Sequence, residues 1–190
     1  MKKLLLILLC LPFFGFGQLG DYYKSNGHPK AKGLNFQIKT PLGFEKMEAD
    51  RPNIVQKWIK NPKDNNTMVL FMILVKNLPT ELKGVSKEDW MQYLKYESGV
   101  KELTESYGIP INNEKYYVLD NYPGIYFESI YEAQRLDNVI KLYQYTTQVF
   151  IDDYFFTITM QSPKKHVLEE NLKLFYSLAN SVIFPEQYGN

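Results

Sequence analysis

The chain has 190 residues, with 22 Lys and Arg against 21 Asp and Glu and a formal net charge of +1. Charges so nearly balanced give no long-range field for nucleic acid or anionic lipid. Cys10 is the one cysteine, which excludes an intrachain disulfide framework and any site built from several thiolates.

Residues 1–17 have the three-part layout of a secretory signal peptide: Lys2 and Lys3, an apolar run over 4–16, then Gly15 and Gly17 ahead of Gln18. The apolar run of about thirteen residues is short for a hydrocarbon core of roughly 30 Å, so cleavage after Gly17 is expected instead of a retained anchor. Bacterial lipidation sites carry Gly, Ala or Ser just before the cysteine, whereas Leu9 precedes Cys10, so lipid anchoring is disfavoured. Losing Lys2 and Lys3 takes the net charge from +1 to −1. The remaining chain, about 170 residues, fits one domain that buries roughly 70% of its unfolded surface without a covalent staple. The expected location is the periplasm or the exterior of a bacterial cell. No later apolar run reaches transmembrane length.

Residues 18–33 mix Gly, Pro, Ser, Asn and Lys without period and are expected as a flexible leader. Leu34, Phe36 and Ile38 alternate, predicting a first strand over 34–40 that Pro41 ends for want of an N–H. Residues 54–60 predict a second strand, and the turn-rich 61–66 leads into a third over 67–76. That third run is apolar on both faces, so a central strand covered on each side is expected.

Ser86, with Asp89 three residues on, resembles a capping box opening a helix to about Tyr107. Its stripe is Trp90, Tyr93, Leu94, Glu97, Val100 and Leu103 or Thr104, and Gly108 and Pro110 end it. An antiparallel meander follows: a strand over 116–119, a type II turn at Tyr122-Pro123-Gly124, a long strand over 125–136, a hairpin loop at Asp137-Asn138, a returning strand over 139–151, a tight turn at Asp152-Asp153, and a strand over 154–161. Ser162 as cap and Pro163 at the first helical position open a last helix whose apolar face is Val167, Leu168, Leu172, Phe175, Leu178 and Ala179. Residues 34–184 show no internal repeat or linker and form one domain, and 185–190 read as a polar tail. The fold class is α+β, a mostly antiparallel sheet packed with two main helices.

Two local patterns, Phe36-x-Ile38-x-x-Pro41-x-Gly43-Phe44 and the closing helix that leads into Ser181-Val182-Ile183-Phe184, together with the order of elements, resemble the PsbP-like α/β/α sandwich superfamily. The resemblance implies an adaptor, assembly factor or chaperone in place of an enzyme. It transfers no catalytic, cofactor or metal residue, since function lives in sites and not in folds.

Read from the residues, catalytic chemistry is poorly supplied. A nucleophilic triad needs a histidine held in a cleft, yet His28 lies in the leader and His166 beside Lys164 and Lys165 at the start of a helix. No cysteine cluster, helical histidine pair or calcium-hand loop is present, and Asp152-Asp153 reads first as a turn. A carboxylate pair assembled in space stays open as a third possibility. No cofactor or metal is expected. Tyr116, Tyr117, Tyr122, Tyr126, Tyr131, Tyr143, Tyr145 and Tyr154 crowd the meander. They fit half-buried strands, and they equally fit a binding face. On the second reading Tyr126, Tyr131, Tyr143 and Tyr145 would be presented to a protein or peptide partner. The alternative function is a small-ligand or lipid carrier, favoured by the apolar third strand.

Overall fold

The computed structural model describes residues 18–135 and 138–189; the expected signal peptide lies outside them. Nine strands occur among these residues, β1 (Leu19–Lys24), β2 (Gln37–Pro41), β3 (Glu45–Met47), β4 (Ile54–Lys60), β5 (Val69–Asn77), β6 (Ile111–Leu119), β7 (Tyr122–Arg135), β8 (Asn138–Ile151) and β9 (Tyr154–Ser162). The helices are α1 (Lys87–Leu94), α2 (Glu97–Glu105), α3 (Lys165–Glu170) and α4 (Leu172–Ala179). A seven-stranded sheet runs in the order β3-β4-β5-β9-β8-β7-β6 with β1 and β2 forming a separate hairpin, and every pairing is antiparallel. The α+β class and its antiparallel sheet are as the residues predict.

Period-two alternation places the odd residues of β5 and the even residues of β9 on one face of the sheet. There Val69, Phe71, Ile73 and Val75 meet Phe156, Ile158 and Met160, with Tyr126, Tyr145 and Val149 continuing the layer. This face is closed by α3, α4 and the β1–β2 hairpin. Phe175 of α4 is fully buried, stacked on Phe71 and tilted against Tyr126 and Tyr145. Phe36 and Phe184 clamp Phe156 from two sides with edge-on contacts at 4.9 and 5.0 Å. The opposite face is covered at one end only, where Trp90 and Leu94 of α1 and Val100 and Leu103 of α2 pack on Ile125, Phe127 and Phe150. Trp90 stacks on Phe150 at 4.0 Å.

Both predicted helices are broken in two. Ser86 caps α1 as expected, its hydroxyl oxygen accepting from the Asp89 N–H at 3.1 Å. The backbone then leaves helical geometry at Tyr96, which lets α1 and α2 each turn an apolar side onto a twisted sheet. A Cβ at position 99 would lie 2.2 Å from the Tyr93 carbonyl oxygen, so only glycine fits this corner. Tyr93 and Glu97, expected on the stripe, are exposed. The second helix begins at Lys165, two residues later than predicted, with the Ser162 hydroxyl accepting from the Lys164 N–H. It breaks at Asn171, whose side-chain amide donates to the Val167 carbonyl at 2.8 Å.

Other expectations are corrected. Residues 18–33 are no loose leader: β1 pairs with β2, and a 3-10 turn at Pro29–Ala31 buries Ala31. The short edge strand β3 was not predicted, and β2 starts later than the alternation implied. The meander's first turn is Asp120-Asn121 instead of Tyr122-Pro123-Gly124. Both residues have positive φ, 45° and 67°, and close the two-residue loop between the paired Leu119 and Tyr122. Pro123 and Gly124 instead belong to β7. Pro123 sits just beyond the last β8 pair, Gly124 with Val149, so its missing N–H costs that ladder nothing. A Cβ on Gly124 would stand 2.2 Å from the Gln148 carbonyl oxygen. The Asp137 half of the predicted hairpin loop lies outside the described residues, and Asn138 already pairs with Arg135. The tail is docked: Asp120 Oδ2 accepts from the Phe184 N–H at 2.6 Å and the Gln187 side-chain amide at 3.1 Å.

Phe175→Ala should lower the unfolding free energy by about 3–5 kcal/mol, the usual cost of emptying a filled aromatic site. A denaturant titration reads this as an earlier midpoint at unchanged slope, and a shift worth less than about 1 kcal/mol would mean that α4 does not anchor the core.

Candidate functional site

The third predicted strand explains the site. β5 is apolar on both faces, but only one of them is sealed. Leu70, Met72 and Leu74 point to the side that α1 and α2 leave uncovered, and there they line an open groove of about 640 Å³. The expectation of a strand covered on each side is thus corrected: the second helical layer is too short to reach across the sheet.

Register builds the groove floor from three cross-strand rows, whose lining members are Gln144, Gln161 and Leu70 in the first, Phe127, Thr146, Thr159, Met72 and Lys57 in the second, and Gln148, Thr157, Leu74 and Ile54 in the third. Amides and hydroxyls on β8 and β9 therefore form a neutral polar stripe. Apolar side chains of β5 flank it on one side, and Phe127 and Tyr131 flank it on the other. The Gln161 amide donates to Gln144 Oε1, and the Gln144 amide in turn donates to Thr146 Oγ1 at 2.7 Å. At the helical end the Gln148 amide donates to the Tyr107 hydroxyl oxygen. Burial raises the Tyr107 phenol well above its usual range, against the opposing pull of the Gln148 amide. One floor hydroxyl, Thr159 Oγ1, has no partner among the described residues, in a residue only 5% exposed. A buried polar group without a partner is costly and asks for an explanation.

Charge enters the groove along one wall. Asp50, Arg51, Lys57 and Lys76 line it, all on or beside β4 and β5. Lys57 Nζ lies 2.8 Å from Asp50 Oδ1, with the lysine side chain 13% exposed and the aspartate 76%. The hydrogen bond from Lys57 holds the Asp50 carboxyl below the usual carboxylate range. Among the described residues that line the groove Asp50 is the one acid, and no second carboxylate of the kind glycoside chemistry requires stands there with it.

The residues singled out from sequence scatter. Tyr126 and Tyr145 are core side chains under α4, 2% and 4% exposed, so they cannot belong to a presented face as expected. Tyr143 is half-buried on that same side, and the exposed Tyr131 alone among the four lines the groove. His166 is exposed on α3, and His28 accepts from the Lys30 N–H in a 3-10 turn. Asp152 and Asp153 do form the tight turn. They also line a smaller hollow of about 340 Å³ with Trp90, and Asp153 accepts there from the Gly84 N–H. Among the described residues no three His, Cys, Asp or Glu side chains converge as a metal site. The groove residues that sequence reasoning missed are Gln144, Gln148, Gln161, Thr146, Thr157 and Thr159. Their alternation with apolar neighbours along β8 and β9 was the available signal.

No protein-family profile matches the chain, and no curated protein matches it either. Similar solved structures include cyanobacterial PsbP (CyanoP) from Synechocystis sp. PCC 6803, at 13% identity over 90% of this chain and 95% of that one, with a TM-score of 0.48. The Ran-binding protein Mog1p of Saccharomyces cerevisiae matches at 12% over 86% and 94%, TM-score 0.48. LpqN, involved in cell envelope biogenesis of Mycobacterium tuberculosis, matches at 11% over 77% and 81%, TM-score 0.46. At these identities and TM-scores the likenesses assign no role to the chain. No helix among the described residues is long and apolar enough to cross a membrane.

Two outcomes test this description. Thr159→Val removes a buried hydroxyl without a partner at nearly constant shape and should raise stability by about 1 kcal/mol in a urea titration; a loss would mean that the hydroxyl is satisfied. Burial, followed by the negative charges of Glu128 and Glu169, pushes the Tyr145 phenol from 10.0 up to about 12. The folded state thus keeps a proton that the unfolded chain sheds, and stability falls as pH climbs from about 10 towards 12. Tyr145→Phe should flatten that alkaline decline in urea midpoints relative to the parent.

Proposed function

We propose that the chain is an exported, non-enzymatic binding protein that takes an extended segment of a protein or peptide partner across the open face of its sheet. The observation that carries this is the neutral floor of the groove, where Gln and Thr side chains run between the Leu70, Met72 and Leu74 column and the Phe127 and Tyr131 edge. The part-exposed Gln144 and Gln161 amides of this floor offer donors and acceptors to a peptide backbone, and its flanks offer apolar contact to side chains. The volume of about 640 Å³ is of the size used for binding sites, and an open trough accepts a chain that continues beyond it. Five strands at about 4.8 Å spacing make the floor about 19 Å wide, which an extended peptide spans with about six residues. Export rests on the signal-like layout of residues 1–17. The non-enzymatic reading rests on the chemistry of the floor, whose amides and hydroxyls supply neither a general base nor an activated nucleophile. The partner-facing surface is thereby moved from the tyrosine cluster to the groove, with Tyr131 at its rim.

A carrier of a small apolar ligand draws on the same Leu70, Met72 and Leu74 column, but the polar stripe beside it would strand its hydrogen bonds against an alkyl chain. The test is affinity selection from a synthetic pool of hexapeptides built from Ala, Leu, Phe, Ser, Thr, Gln and Tyr, read by mass spectrometry. The parent protein should retain peptides, and Thr159→Arg, which fills the floor, should reduce retention at least about tenfold with the circular dichroism spectrum unchanged. Equal retention by both would remove the groove as the binding site.

A further inference from the structure

The rim charges give the bound segment a direction. Three cations, Arg51, Lys57 and Lys76, stand at the β4 and β5 wall with one acid, Asp50. Arg51 and Lys76 make no ion pair among the described residues, and Asp50 engages Lys57 from a strongly exposed position. On the opposite wall the described lining residues, Phe127, Tyr131 and Leu142 on β7 and β8, are uncharged. An ammonium as covered as that of Lys57 needs an anion beside it. Asp50, three-quarters exposed on the segment before β4, meets that need with a carboxylate that can swing into water at little cost.

We propose that the groove recognises the C-terminal carboxylate of its peptide partner, held by Lys57 with Arg51 and Lys76 and exchanged there for the carboxylate of Asp50, while an apolar residue upstream rests on Phe127 and Tyr131. This inference rests on the peptide reading above and adds to it the end of the chain that is bound. Geometry and charge agree. A segment of about six residues reaches from the β4 wall to β7, and a terminal carboxylate is the one negative charge that every peptide with otherwise neutral side chains brings. Charge-assisted bonds to Lys and Arg are about twice as strong as neutral ones, so they fix orientation on a floor whose amides read the backbone in either sense.

The same hexapeptide pool, prepared as free acids and as C-terminal amides, tests it. The free acids should be retained about tenfold more strongly than the amides by the parent protein. Lys57→Gln should erase the difference, as should the exposed double change Arg51→Gln with Lys76→Gln, which spares the covered lysine and so guards against a folding defect. Asp50→Asn, which removes the competing carboxylate, should strengthen retention of the acids and leave the amides alone. Lys165→Gln, on the far side of the sheet, is the control and should change neither. Equal retention of acid and amide by the parent, with loss of both in Thr159→Arg, would overturn the carboxylate site and leave the groove standing. Failure of the parent to retain either form would overturn both. Binding of dodecanoate that depends on Lys57, without binding of any peptide acid, would assign the site to an acyl carboxylate and refute the peptide terminus.

Discussion

The antiparallel register of β5, β9 and β8 is the constraint on which everything else in this molecule depends. A slip of one residue in any of them would exchange that strand's two faces, sending Phe71, Phe156 or Tyr145 to the groove and Leu70, Thr159 or Gln144 beneath α4. The register is fixed because the aromatic layer around Phe175 fits only one way, with Phe71, Tyr126 and Tyr145 each in contact with that ring. The rows of the groove floor are the reverse side of this packing. The arrangement of Gln and Thr residues is thus inherited from the core and held rigid by it, which is what a preorganised binding surface requires.

The two faces differ because the helical layers differ in reach. On the core side α3, α4 and the β1–β2 hairpin together cover the strands, and Gln37 bonds through its backbone to Ile183 to tie the hairpin to the chain's end. On the other side α1 and α2 cover the end near Phe150 and Phe155 and stop at Tyr107. The uncovered remainder carries hydroxyls and amides where a closed layer would carry Leu and Val. An uncovered face of pure hydrocarbon would invite aggregation, and an uncovered face of charges would have no use for flanking Leu70, Met72 and Leu74. The mixture is what a surface needs if it is wet when empty and binds when occupied.

Corrections to the expected elements share a physical origin in contacts between distant residues. Asp120-Asn121 takes the hairpin turn because two positive φ angles match the twist of β6 and β7, while Pro123-Gly124 is used for the close approach of Gly124 to the β8 backbone. Residues 18–33 look irregular in isolation, yet β1 gains a partner strand once β2 is in place. The helix over 87–105 reads in sequence as one mostly apolar stripe, but its backbone leaves helical geometry at Tyr96, where Gly99 packs against the Tyr93 carbonyl.

By itself the sequence determined the antiparallel alternation from β4 to β9, the Ser86 cap, the Asp152-Asp153 turn and the apolar face of α3 and α4, since each follows from local periodicity or from one residue's backbone preference. It also determined that Tyr, Leu and Phe would crowd the strands. Only the tertiary structure decided which of them were hidden. Tyr145 and Tyr131 lie on adjacent, paired strands, but helix α4 covers the first while the second is 45% exposed. The same is true of the site: Lys57, Thr159 and Gln144 lie far apart in the chain, and they share a surface because strand order and register place them there.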